Sequence, residues 1–279
     1  MRAVRRVIRG RATQDGAGVK LRRVFANDLA EELDPFLMLD AFDSTDPKDY
    51  VAGFPWHPHR GIETVTYLIS GLVEHGDSLG NKGEITSGSC QWMTAGRGII
   101  HQEMPKASEH MLGLQLWVNL PREKKMIPPV YRDLTAKEIV TVSEPGRTVK
   151  LLAGEYGGQK GPVEGITIEP TFLDVELEAE AVFHWEPQPE ATVFAYVFTG
   201  SGRFEPHDSN EHGQGDAVLW ERDGGIEVRA GANGLRMLVC AGLPLQEPIA
   251  WGGPIVMNTR AELQQAFAQL DDGTFLKQG

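Results

Sequence analysis

The sequence predicts an all-β protein of two tandem β-barrels closed by a short C-terminal helix. Short apolar runs rich in Val, Ile, Phe, Tyr, Trp and Thr recur along the chain, separated at close intervals by clusters of Gly, Pro, Asn and Asp. At 279 residues the chain exceeds one ordinary domain of ~100–150 residues. One strand plan also occurs twice: residues 63–71 (ETVTYLISG) resemble residues 192–200 (TVFAYVFTG), each followed downstream by a glycine and then by Trp92 or Trp220.

Strands are expected at 19–25, 63–70, 112–119, 149–153, 171–177, 192–199, 216–220 and 235–240, where β-branched and aromatic residues are concentrated. Residues 14–18 (QDGAG) read as a hairpin turn. Residues 120–130 carry Pro121, Pro128 and Pro129, which suits a crossing between domains better than a strand interior. The expected division is therefore 1–135 and 136–279. Helical periodicity stands out over 260–270, with Thr259 as N-cap and Leu263, Phe267 and Leu270 on one face.

Hydrophobic residues at 41% and charged residues at 24% match soluble globular proteins and exclude a disordered or fibrous chain. No apolar run reaches the ~18 residues of a membrane span, and the Arg-rich start lacks the apolar core of a secretory signal, so a cytoplasmic protein is expected. Cys90 and Cys240 stand alone in strand-like settings and read as free buried thiols. The net charge of -12 disfavours direct nucleic-acid contact; the basic residues near the N-terminus read as solvated strand edges.

The chemistry concentrates in two segments. His57, His59 and Glu63 share parity and in an extended chain project to one face, and His101 and Glu103 alternate in the same way further on. Three imidazoles and a carboxylate suit one divalent transition metal. His75, His110, His184, His207 and His212 are isolated and read as ordinary core or surface residues.

The spacing His57-x-His59, Glu63 and Gly98-x-x-His101 resembles the paired motifs of cupin barrels. More closely, residues 33–39 (LDPFLML), 54–61 (FPWHPHRG) and 91–101 (QWMTAGRGIIH), with Glu103 and Met104, resemble the pirin family of bicupins, and the likeness extends over nearly the whole chain. The resemblance implies two cupin barrels of jelly-roll type and one metal held by His57, His59, His101 and Glu103, with Glu63 behind these ligands. In the general cupin pattern Glu63 itself would ligate, and strand geometry leaves both carboxylates open. Aligning Gly200 with Gly71 puts Glu186, Gln188 and Thr192 at the positions of His57, His59 and Glu63, so the second barrel is expected to lack a metal.

The same resemblance implies a quercetin 2,3-dioxygenase acting on a flavonol or similar aromatic enol with O2. The metal would be Fe(II), with Cu, Ni, Mn or Zn as alternatives, and Glu103, or Glu63 behind it, would take the substrate hydroxyl proton. Phe54, Trp56, Trp92, Met93 and Trp117 are candidates for the pocket wall, against a plain core role. The competing class is a non-enzymatic, redox-sensing metal protein that regulates transcription or a metabolic enzyme through a protein partner. A third is another cupin reaction, such as a metal-dependent isomerisation.

Overall fold

The computed structural model describes residues 1–163, 168–206 and 210–277. These fold as two compact units, one of residues 12–32, 36–136 and 245–279, the other of 1–11, 33–35 and 137–244. The termini thus depart from the expected consecutive division into 1–135 and 136–279. The N-terminal strand β1 (Val4–Arg9) pairs antiparallel with Asp216–Trp220 in the second unit, and residues 245–279 return to the first. Sequence alternation says which face of a strand is buried, but it does not name the partner.

The first unit holds the strands β2 (Arg11–Asp15), β3 (Val19–Phe25), β4 (Phe36–Ser44), β5 (Phe54–His59), β6 (Ile62–Ser70) and β7 (Leu72–Asp77). They are followed by β8 (Lys82–Thr86), β9 (Cys90–Thr94), β10 (Ile99–Pro105), β11 (Met111–Asn119) and β12 (Val130–Leu134). One sheet runs β12-β9-β6-β11-β4-β3-β2 and the other β5-β10-β7-β8. Pro55 and Pro58 cannot donate to a ladder, and β5, which carries them, is accordingly an edge strand.

Register assigns the faces, because directly paired residues project to the same side of a sheet. Thr64 pairs with Met93 and Trp117, and Thr66 with Gln91 and Gln115, so these side chains form one face. Glu63 pairs with Thr94 and Val118, and Val65 with Trp92 and Leu116, forming the opposite face. Both faces are buried, so the polar Glu63, Thr64 and Thr66 of β6 are enclosed along with its apolar residues. On β10 burial alternates, with Ile99, His101, Glu103 and Pro105 inward.

The C-terminal segment adds a hairpin, Ala250–Gly252 with Ile255–Met257, and α1 (Arg260–Asp271), capped by Thr259 and Glu262 in a reciprocal capping box. Ala266 takes the buried position on α1, while Phe267, expected inward, is 38% exposed. Arg60 locks this segment to the end of β5. Its guanidinium donates to the Arg97 carbonyl, Gln269 Oε1 and the Phe275 carbonyl and lies 4.1 Å from the Phe275 ring centre. The buried Lys125 Nζ donates to the carbonyls of Gly61 and Val256 and to Asn119 Oδ1.

The second unit is a nine-stranded sheet whose main path runs Val4–Arg9, Asp216–Trp220, Thr192–Arg203, Ile226–Gly242, Thr171–Leu177, Arg147–Ala153 and Val140–Glu144. Its core is apolar, with Leu151, Val175, Val193, Val197, Trp220 and Met237 fully enclosed. On the other face of the sheet, Asp174 forms a two-point ion pair with Arg236. Gln188 sits in a turn, its carbonyl accepting from Ala191 N and Arg2 Nη2.

Gly61 is the joint between the two sheets of the first unit. Its φ is +78°, and a Cβ there would stand 2.0 Å from the Val256 carbonyl oxygen. Gly61→Ala is expected to destabilise the protein by at least about 2 kcal/mol, through left-handed strain and that clash together. The urea midpoint checks it; a midpoint equal to that of the unaltered protein would show that neither constraint is real.

Candidate metal centre

Edge strand β5 presents His57 and His59, and its neighbour β10 presents His101 directly opposite His57. The three rings lie 4.4 to 5.0 Å apart between centres, and one nitrogen from each falls within 4.8 Å of the others. His59 and His101 are each 1% exposed.

Hydrogen bonding sets the tautomers. His57 Nδ1 lies 2.8 Å from the Pro55 carbonyl oxygen and His59 Nδ1 3.1 Å from that of Pro254. A carbonyl only accepts, so each Nδ1 carries a proton, and in the neutral ring Nε2 is left with a bare lone pair. These two Nε2 atoms face one another at 3.0 Å. Both ring nitrogens of His101 are buried without a hydrogen-bond partner. A buried polar atom left unsatisfied costs about 1–3 kcal/mol, and facing lone pairs repel, so the arrangement lacks a cation. A divalent ion bound by neutral imidazoles supplies one, and the donor set fits it.

Desolvation by burial, reinforced by repulsion from the neighbouring imidazoles, holds His59 and His101 well below the ordinary histidine value of 6.5. Both rings are therefore neutral near pH 7, the form that binds metal.

The two expected carboxylates separate. Glu103 faces inward from β10 and accepts from Thr66 Oγ1 at 2.9 Å and from Gln115 Nε2 at 3.0 and 2.7 Å. Trp117 Nε1 donates to Gln115 Oε1 at 3.2 Å, which turns the amide nitrogen toward Glu103. Glu63 lies on the other face of β6, where it accepts from Trp92 Nε1 at 3.0 Å and Thr94 Oγ1 at 2.7 Å. Burial raises its pKa. The expectation that Glu63 shares a face with His57 and His59 is thus corrected: the strand breaks at Gly61, and Ile62 starts a new strand in the other sheet.

A cavity of about 470 Å³ opens beside the imidazoles, lined among others by Phe54, His57, His59, Gln115, Trp117 and Trp251. Of the expected wall residues, Phe54 and Trp117 line it. Trp56 is instead 53% exposed, Trp92 stands with Glu63 on the far face, and Met93 is core. Trp251 stacks on Trp117 at 5.9 Å, and the Pro254 carbonyl orients His59. Nothing in the sequence near residue 250 signals either contact.

The remaining described histidines have their own partners: His75 with the Tyr131 hydroxyl, His110 with Asp43, and His184 with Glu227. His212 lies in the short strand His212–Gly213 beside Phe204. His207 lies outside the described residues. Cys90 and Cys240 are free and buried. No helix is long and apolar enough to cross a membrane among the described residues.

The chain matches the family model Pirin over residues 18–118 and the model for the pirin C-terminal cupin domain over residues 172–276. It is 41% identical to a pirin-like protein of Caulobacter vibrioides over 99% of both chains. It is also 40% identical to pirin of Homo sapiens, over 92% of this chain and 88% of that one. Among solved structures, a quercetin 2,3-dioxygenase from Acinetobacter baumannii superposes with a TM-score of 0.89 at 32% identity, covering 99% of this chain and 98% of that one.

Burial of neutral imidazoles has a pH consequence. Below 6.5 the unfolded chain takes up protons at His59 and His101 while the folded chain does not, so the metal-free protein loses stability as pH falls through 6.5 toward the lowered folded-state values. His101→Gln is expected to flatten that decline. Urea unfolding of metal-free protein from pH 7.5 to 5 measures it, and parallel slopes for the two proteins would contradict the burial argument.

Proposed function

The chain belongs to the pirin family of two-barrel cupin proteins, and from that premise we propose that it is a metal-dependent dioxygenase acting on a flavonol such as quercetin at the 2,3-position. The observation that carries this reading is the convergence of three imidazoles, His101 with both ring nitrogens buried and unpartnered, and His57 and His59 facing each other at the wall of an open cavity. We assign His57, His59, His101 and Glu103 as ligands of one divalent transition ion, with Fe(II) as the native metal. That ion supplies Lewis-acid and redox chemistry where substrate and dioxygen meet.

The chain's own groups do the rest. The cavity's volume lies within the ~300–1,000 Å³ of small-molecule sites, and the stacked rings of Trp117 and Trp251 offer a flat aromatic wall. Glu103 is the inward carboxylate, and we assign it to hold the proton of the substrate hydroxyl at a carboxylate oxygen. Gln115, itself fixed by Trp117, orients Glu103 and ties proton acceptance to the aromatic wall. Arg23 lies at the same cavity but is committed to Asp40 by two hydrogen bonds and to Asp15 by another, so it shapes the cavity and leaves no free charge for an anion.

Metal analysis with quercetin loss and oxygen uptake tests the proposal. His57→Ala and His101→Ala are expected to lose bound metal and to lower turnover by at least about 10²-fold. Glu63→Gln is expected to retain metal, because its carboxylate lies on the face of β6 opposite Thr66 and Glu103, bonded to Trp92 and Thr94. Reconstituted protein with no metal-dependent consumption of quercetin and oxygen would overturn the dioxygenase reading. Metal loss in Glu63→Gln without unfolding would overturn the choice of Glu103.

A further inference from the structure

A second void lies behind the imidazole site and differs from the first in chemistry. Phe42, Tyr50, Leu68, Val73, Pro105 and Met111 line it beside the apolar cluster of the first barrel, and Glu103 stands at one side. It offers about 20 Å³ to the centre of a water-sized molecule, above the ~10–15 Å³ that a single occupant needs. Phe54 and Gln115 line both this void and the larger cavity that holds His57 and His59, so these two side chains form the partition between them.

The polar groups around this void are already spent. Thr66 and Gln115 donate to Glu103, the Gln115 oxygen accepts from Trp117, and the Tyr50 hydroxyl donates to the Ser108 carbonyl and accepts from Ser108 N. A buried water requires two to four polar partners, and here at most a spare lone pair of Glu103 is on offer. A void so poor in polar partners disfavours water and has room for one small apolar guest. A flavonol is far too large for it.

We propose that this void is a holding site for dioxygen, from which the gas reaches the imidazole cluster past Phe54 and Gln115. The identity of the guest rests on the dioxygenase reading above; the capacity to hold a small apolar gas rests on the void alone. Dioxygen is apolar and diatomic, matching both the size and the apolar lining of the space, and Glu103, assigned above to the metal, lies at its edge. Flavonol enters by the larger cavity, so the two reactants would reach the site from opposite sides of one partition.

The test uses the full chain, methyl-labelled and loaded with diamagnetic zinc, under increasing dissolved dioxygen. Paramagnetic relaxation of the Leu68, Val73 and Met111 methyls is expected to exceed several-fold that of the equally buried Val149 and Leu151 methyls in the other barrel. Equal relaxation at both sets would overturn the proposal. A void-filling variant, Val73→Phe, is expected to abolish the excess at Leu68 and Met111. In turnover it should raise the KM for dioxygen about fivefold while changing that for quercetin less than about twofold. An unchanged dioxygen KM in a folded Val73→Phe protein would overturn the supply role. Absence of any turnover would remove the dioxygenase reading, while the relaxation measurement on unaltered protein would still decide whether the gas site exists.

Discussion

Two ring nitrogens, His57 Nε2 and His59 Nε2, face each other at 3.0 Å, and much of the first barrel is arranged to hold them so. The constraint begins with two carbonyls. Each carbonyl can only accept, so each fixes the proton of its imidazole on Nδ1 and turns the basic nitrogen inward. One comes from Pro55 on the same strand, the other from Pro254 in the C-terminal hairpin. Burial and the neighbouring imidazoles then hold His59 well below the ordinary histidine value, so that ring does not take up a proton near pH 7.

This dependence gives the return of residues 245–279 to the first barrel a functional sense. The segment supplies the carbonyl that sets the His59 tautomer, and it carries Trp251 onto the cavity wall. Arg60 and Lys125 hold it there through hydrogen bonds on either side of Gly61, within a few residues of His59. The geometry of an edge strand, by itself prone to fraying, is thereby fixed from outside its own sheet.

A single sheet also separates two carboxylates into different chemistry. Glu63 and Thr66 sit three positions apart on β6 and so face opposite sides. Glu63 closes a hydrogen-bond pair with Trp92 and Thr94, while the Thr66 side receives Glu103 from the facing sheet. The second barrel repeats the strand architecture with an apolar core, and Gln188, the counterpart of His59, sits in a turn. Fold and site are independent inheritances here: the same barrel plan occurs twice, and the convergent imidazoles occur in one copy among the described residues.

Strand content, the capped helix after Thr259 and the pairing of His57 with His59 were legible in the sequence, because alternation and capping are properties of a few consecutive residues. The inward parity of His101 and Glu103 was legible for the same reason. Parity failed at Glu63, where one glycine with positive φ ended the strand and moved the chain into another sheet. Which strands meet, which carbonyl faces His59 across 195 residues of chain, and that Gln115 rather than a nearer residue orients Glu103 were decided only by the tertiary structure. Those contacts join residues whose local patterns carry no mark of one another, since alternation fixes a side chain's face while only packing selects its partner.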